Sequence, residues 1–202
     1  FVEPEYLLIE DQALYIQLAQ QFPESGFLGV IHERVPGYPL FISSIYTVFG
    51  ESLWNIISIQ ILLDSASCVV IALMAKSLFG KGFWIAGMLS VINLNMIILS
   101  TSLLTDTLFL FLFILFIFSL LQYLQSERTR WLTLLVLFIS LATLVRPSSY
   151  YLLPILLIGL VSWRLWHRDT ILKIGALTVL YLVIAGVLLG SIHQRNYQQY
   201  GS

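Results

Sequence analysis

Long apolar runs separated by short polar breaks make up most of the chain. Six of these runs approach or reach the roughly 17–25 residues that an α-helix needs to cross a bilayer. They cover residues 53–75, 83–100, 105–124, 131–146, 148–163 and 171–191. The two runs on either side of Arg146-Pro147 are short, so we expect one of them to be tilted, broken or re-entrant. The pattern predicts an all-α polytopic membrane protein with about six transmembrane helices.

The first 52 residues contain no run that is long enough to cross a membrane. Glu10 to Phe22 predicts a helix that ends at Pro23, and the sequence V-P-G-Y-P at 35–39 predicts a turn. Leu40 to Phe49 is apolar but short, which favours a helix lying in the outer membrane interface. The predicted organisation is an extracytoplasmic loop with juxtamembrane helices over 1–52, a transmembrane bundle over 53–191, and the start of a further extracytoplasmic loop over 192–202.

Composition and charge agree with a membrane location. Of the 202 residues, 58% are hydrophobic and 10% are charged, whereas soluble domains are roughly 45–50% apolar and about 25% charged. The net charge of −1 gives no reason to expect a nucleic acid partner. Seven of the ten basic residues fall on one side of the predicted spans, which the positive-inside rule assigns to the cytoplasm. They are Lys76, Lys81, Arg128, Arg130, Arg164, Arg168 and Lys173.

Most of the acidic residues fall on the opposite side, and two of them are candidates for chemistry. Asp11 lies at the start of the first predicted helix, where it is either a solvated carboxylate favoured by the helix dipole or a general base. Asp106 lies where the third span begins, and there it is either a helix cap or a functional carboxylate. The predicted topology brings both to the same side, as a paired-carboxylate site requires.

Three arginines are predicted on the same side as these carboxylates. Arg146 interrupts an apolar stretch, and Pro147 biases its backbone toward extended geometry. Its guanidinium group either snorkels to the interface or binds a phosphate group, for which its planar shape is suited. Arg34 and Arg195 are similar candidates, although a solvated loop charge accounts for each of them equally well.

Asp64 lies within the first span, where a hydrogen-bonded contact between helices is favoured over a functional role. The three histidines are isolated in sequence and show no metal-ligand spacing, so no metal site is predicted. There is no Walker-type glycine-rich loop. No loop is large enough to form a nucleotide-sugar-binding domain.

Four short motifs together carry a resemblance to a known family. They are D-Q-A-L-Y followed by R-V-P-G-Y-P-L-F at 11–15 and 34–41, Leu104-Thr105-Asp106, Arg146-Pro147, and R-N-Y-x-x-Y-G at 195–201. In this order they resemble the GT-C superfamily of membrane glycosyltransferases, in particular its dolichyl-phosphate-mannose protein mannosyltransferase-like and aminoarabinose transferase-like branches. Gln12 stands where the family usually has Glu, and Val35 where it usually has Pro. Since relatives are considerably longer, we expect this chain to be a piece of a longer protein.

The resemblance implies an integral membrane enzyme, expected in the bacterial inner membrane, whose site faces outward. The donor would be a polyprenyl-phosphate-linked sugar, and the acceptor hydroxyl would belong to a protein, a lipid or a glycan. The family includes members that use a divalent metal and members that do not, so the cofactor stays open. The implied catalytic residues are Asp11 as the base and Asp106, and the implied substrate-binding residues are Tyr15, Arg34, Tyr38, Arg146 and Arg195.

Two other functions account for parts of the same pattern. A transporter or flippase explains the spans and Asp64, but transport sites usually lie near the membrane midplane on broken helices. A non-catalytic membrane assembly subunit explains the spans and predicts that no single outer carboxylate is essential. The transporter reading does not explain why acidic residues cluster on the outer side together with the Pro-Gly-Tyr-Pro turn at 36–39.

Overall fold

The computed structural model describes residues 10–29 and 35–146, together with the single positions 148, 159 and 197. This part of the chain is helical and contains no β-strand. Its helices are α1 (Glu10–Gly29), α2 (Gly37–Phe49), α3 (Leu53–Phe79), α4 (Phe83–Val91), α5 (Leu94–Thr101), α6 (Thr105–Ser126) and α7 (Thr129–Val145). The predicted all-α class is therefore confirmed for the described residues.

The first helix is longer than the sequence predicts. We expected it to end at Pro23, but α1 continues to Gly29 with Pro23 inside it. A proline within a helix removes one backbone hydrogen bond and usually kinks or ends the helix. A helix continues past a proline where a local kink relieves the clash with the carbonyl four residues earlier. Tyr15 and Ala19, which are buried where α1 contacts α2, both precede Pro23.

The predicted turn at 35–39 is also corrected by the structure. Gly37 and Pro39 already belong to the first turn of α2, whose first backbone hydrogen bond runs from the amide of Leu40 to the carbonyl of Pro36 at 2.9 Å. Proline is tolerated at this position because the first amides of a helix have no intrahelical acceptor. Gly50 ends the helix, as predicted, with a φ of 86°.

Two of the described helices, α3 and α6, are long and apolar enough to cross a membrane. A third span arises if α4 and α5, which meet at a bend of 53°, are counted as one broken crossing. The helix α7 is apolar but only 17 residues long. The predicted number of six spans is thus not confirmed, and the runs at 148–163 and 171–191 lie outside the described residues.

The helix α3 runs the length of the bundle from one end to the other. At one end α1, α2, α6 and α7 surround a buried apolar cluster that includes Tyr38, Ile42, Ile56, Leu108 and Val145. We call this the site end, because Asp106 and Arg146 lie there. We call the opposite end, which holds Lys76 and Lys81, the lysine end. There Ser77 of α3 accepts a hydrogen bond from Gln122 of α6 at 3.0 Å.

Candidate functional site

An ion pair joins two of the predicted site residues across 40 positions of sequence. Nη1 of Arg146 donates a hydrogen bond to Oδ1 of Asp106 at 2.7 Å. Asp106 lies in the first turn of α6, and Arg146 follows the last residue of α7. These two helices pack side by side, so the start of one is held beside the end of the other.

The backbone of Arg146 has the extended geometry that Pro147 predicts, with φ −144° and ψ 111°. Its guanidinium group also lies 5.8 Å from the centre of the Phe109 ring, one turn further along α6. The Arg146 and Asp106 side chains are 48% and 30% exposed, and exposed ion pairs typically contribute only about 0–1 kcal/mol to stability. The pair is therefore a weak stabilising contact and an accessible charged site.

A close backbone contact sets the position of Arg146 relative to α2. A Cβ atom on Gly37 would lie 2.5 Å from the carbonyl oxygen of Leu144 and 2.8 Å from the amide nitrogen of Val145. Only glycine allows so close an approach. The glycine of the P-G-Y-P motif thus brings the start of α2 against the end of α7, next to Arg146.

Tyr15 and Tyr38 connect α1 to this site. Their rings meet edge to face with centroids 5.0 Å apart, and Tyr38 is fully buried. Asp11 lies one helical turn before Tyr15 and is exposed. Since residues four apart share a face of a helix, Asp11 belongs to the same face of α1 as Tyr15. This arrangement supports the prediction that Asp11 and Asp106 lie on one side of the protein.

The environment of Tyr38 limits the chemistry that its hydroxyl can perform. Burial raises the pKa of this hydroxyl well above its ordinary value, and the nearby Tyr15 and the negative charge of Asp106 raise it further. The hydroxyl therefore stays protonated at neutral pH and cannot act as a general base there. The prediction that Tyr15 and Tyr38 contact substrate stays a prediction, and in this structure Tyr38 packs inside the protein.

Gln60 is a member of the site end that sequence reasoning did not single out. Its side chain is fully buried within α3, where its Nε2 donates to the carbonyl oxygen of Ser102 at 3.0 Å. Its Oε1 accepts a longer hydrogen bond of 3.5 Å from the Tyr38 hydroxyl. Gln60 therefore links α2 to the segment that leads into Asp106. The sequence feature that could have revealed Gln60 is its amide side chain within an apolar run, since a buried polar group needs hydrogen-bond partners.

The remaining predicted residues lie elsewhere. Arg34 and Arg195 fall outside the described residues, so their predicted roles stay predictions. Asp64 lies on the wall of a groove between α3, α4 and α5, and it makes no interhelical hydrogen bond with the described residues. Among those residues, no group of three or more His, Cys, Asp or Glu side chains is arranged to hold a metal ion.

Replacing Gly37 with alanine is expected to reduce both stability and activity of the full-length protein. The added methyl group meets backbone atoms that cannot rotate away, and such overpacking typically costs about 1–3 kcal/mol. Gly87→Ala is the matched control, because its Cβ would meet only the side chain of Ala72, at 3.3 Å. Thermal unfolding in detergent should show a lower midpoint for Gly37→Ala alone, and equal midpoints for both variants would contradict the packing role.

Comparison with known families identifies the family of the chain. The family profile described as dolichyl-phosphate-mannose-protein mannosyltransferase matches residues 33–189, which is most of the chain. The chain belongs to this family of membrane glycosyltransferases. No curated protein and no solved structure matches it.

Membership in the mannosyltransferase family confirms the resemblance seen in the motifs. The matched region includes the P-G-Y-P segment, Asp106 and Arg146, which the fold brings to one end of the bundle. Asp11 and Tyr15 precede the matched region. Family membership thus supports a mannosyltransferase-type enzyme embedded in a membrane, with apolar helices compatible with crossing it.

Proposed function

We propose that the full-length protein transfers a sugar from a polyprenyl-phosphate donor to an acceptor hydroxyl at the outer face of the membrane. The observation that carries this proposal is the ion pair between Asp106 and Arg146 at the site end. An accessible arginine beside a carboxylate, at the edge of an apolar bundle, suits a ligand with a phosphate head group and an apolar chain. The mannosyltransferase family of the chain supplies the class of reaction.

Arg146 is proposed to bind the phosphate group of the donor. A guanidinium group presents several N–H donors in one plane, which matches two phosphate oxygens at once. As the bond between the anomeric carbon and the phosphate oxygen breaks, negative charge grows on the leaving phosphate. A cation that is already in place stabilises that charge without reorganisation. The ion pair with Asp106 and the contact with Phe109 hold Arg146 ready for this role.

Asp11 is proposed as the general base. The acceptor hydroxyl oxygen attacks the anomeric carbon on the face opposite the phosphate, its proton passes to the Asp11 carboxylate, and polyprenyl phosphate leaves. A single displacement of this kind inverts the configuration at the anomeric carbon. Asp11 is exposed at the start of α1, where an acceptor can reach it. The second carboxylate, Asp106, accepts a hydrogen bond from Arg146 and is proposed to orient its guanidinium group.

Radiolabelled polyprenyl-phosphate sugars supplied to membranes that contain the full-length protein test this proposal. We expect the polyprenyl-phosphate donor itself to lose label at a rate well above that of membranes lacking the protein. The Asp64→Asn variant should remain within a few-fold of wild type, because Asp64 lines a groove away from the ion pair. A transporter would give the reverse pattern, in which no label leaves the lipid and Asp64 is essential.

A further inference from the structure

A cavity at the lysine end lies far along α3 from the candidate site and has no part in the proposed reaction. Its volume is about 580 Å³, and the turn between α3 and α4 forms its wall. Lys76 and Lys81 both line it, together with Phe83, Trp84 and Ile85. No acidic residue lines it. The cavity therefore combines two positive charges with an apolar and aromatic surface.

The two lysines lack charge partners within the described part of the chain. Neither Lys76 nor Lys81 forms a salt bridge with any residue that the structure describes there, and both side chains are exposed. The glycines around Lys81 leave the entrance open, because nothing lies within 4 Å of a Cβ placed on Gly80 or Gly82. Two ammonium groups that share one open cavity favour an anionic occupant.

The surroundings of the cavity indicate what kind of anion fits. Trp84 is 76% exposed, and Ile85 and Phe79 beside it are almost as exposed. Tryptophan is typically found at the level of lipid head groups, where its ring lies between the apolar and the aqueous phase. An occupant with a charged head and apolar chains would match both the lysines and this surface, whereas a free anion would leave the apolar surface bare.

We propose that this cavity, lined by Lys76, Lys81 and Trp84, binds the phosphate head group of an anionic membrane phospholipid. The lysines contact the phosphate oxygens, while Phe83, Trp84 and Ile85 lie along the glycerol and the first part of the acyl chains. The binding involves no chemical step and is independent of the reaction at the site end. It anchors the turn between α3 and α4 to the anionic surface of the membrane.

Native mass spectrometry of the full-length protein, purified in a non-ionic detergent and titrated with phosphatidylglycerol, tests this proposal. Hydrogen bonds between charged groups are stronger than neutral ones, and both lysines are proposed to contact the phosphate oxygens. Lys76→Gln/Lys81→Gln should therefore weaken the apparent affinity by roughly tenfold or more. Arg128→Gln/Arg130→Gln is the matched control, because it removes the same charge near the lysine end, outside the cavity. Affinity should fall less than about twofold in this control, because neither arginine lines the cavity and salt screens exposed charges that do not contact the lipid. The variant Lys76→Arg/Lys81→Arg should bind like wild type.

Three results would overturn the proposal. Equal losses in the lysine and arginine double variants would mean that general attraction to charge, and not the cavity, binds the lipid. Equal affinity for phosphatidylcholine would show that the lysines do not select an anionic head group. Competition by free glycerol phosphate at the same concentration as the lipid would identify a soluble phosphate as the occupant. Thermal unfolding of each variant, measured in parallel, separates loss of binding from loss of the fold.

Discussion

Replacing Asp11 with asparagine is expected to lower the rate of sugar transfer by about 10²–10⁴-fold, the usual contribution of a general base. Asparagine keeps the size of the side chain but cannot accept the proton of the acceptor hydroxyl. Thermal unfolding of the variant, measured in parallel, separates loss of catalysis from loss of the fold. Initial rates of label transfer from a polyprenyl-phosphate sugar, measured in membranes with equal amounts of protein, give the comparison.

Glu51→Gln is the matched control for this variant. Glu51 is another exposed carboxylate near the site end, and it accepts a hydrogen bond of 3.2 Å from Gln20 of α1. Its replacement should change the rate by less than a few-fold. If Asp11→Asn retained the wild-type rate, the role given to Asp11 would be wrong, whatever the effect of Asp106→Asn.

Replacing Arg146 with glutamine is expected to lower kcat by about 10²–10³-fold, as removal of a preorganised charge-stabilising group does in other enzymes. The loss should appear mainly in kcat, because charge on the leaving phosphate is greatest in the transition state. Arg146→Lys should recover part of the rate, since lysine keeps the charge but loses the planar pair of donors. Steady-state kinetics with a polyprenyl-phosphate sugar measure these changes.

The control for Arg146 is the arginine near the other end of the same helix. Arg130 is exposed at the start of α7 and lies 5.2 Å from the Trp131 ring centre. Arg130→Gln removes an equal charge far from the ion pair and should leave kcat within a few-fold of wild type. A kcat for Arg146→Gln that is no lower than for Arg130→Gln would exclude Arg146 from phosphate stabilisation.

The boundaries of the long apolar helices α3 and α6 were predicted closely from the sequence. Such apolar runs end mainly at glycine or at charged residues, which are easy to recognise. The predicted runs beginning at 53 and 105 became α3 and α6, each starting where predicted. The break within the run 83–100 was not predicted. The break falls at Asn93, whose side chain caps α5 by accepting a hydrogen bond from the Asn95 amide at 3.1 Å.

The site end shows which parts of a site the sequence can supply. Asp106 and Arg146 stood out in the sequence because charges in apolar runs are costly. The order of the predicted spans then placed both on the same side of the membrane. Their direct contact depends on how α6 packs on α7, which no local pattern encodes. Gly37 was read as part of a turn, yet its role is to admit the backbone of Leu144. Contacts between distant segments set such requirements, so sequence periodicity does not reveal them.

The central claim is that the activated sugar arrives on a lipid phosphate and leaves it at the end of the bundle that holds Asp106 and Arg146. Native membranes that contain the full-length protein are first depleted of enzymes that interconvert lipid-linked and nucleotide-activated mannose. In separate reactions they then receive polyprenyl-phosphate mannose or a nucleotide-activated mannose that carries the same label. The account predicts that polyprenyl phosphate is released together with an equal amount of labelled product of inverted configuration. Both should form only from the lipid donor, and both should be lost in Arg146→Gln. Product formed from the nucleotide donor, or undiminished release by Arg146→Gln, would contradict it.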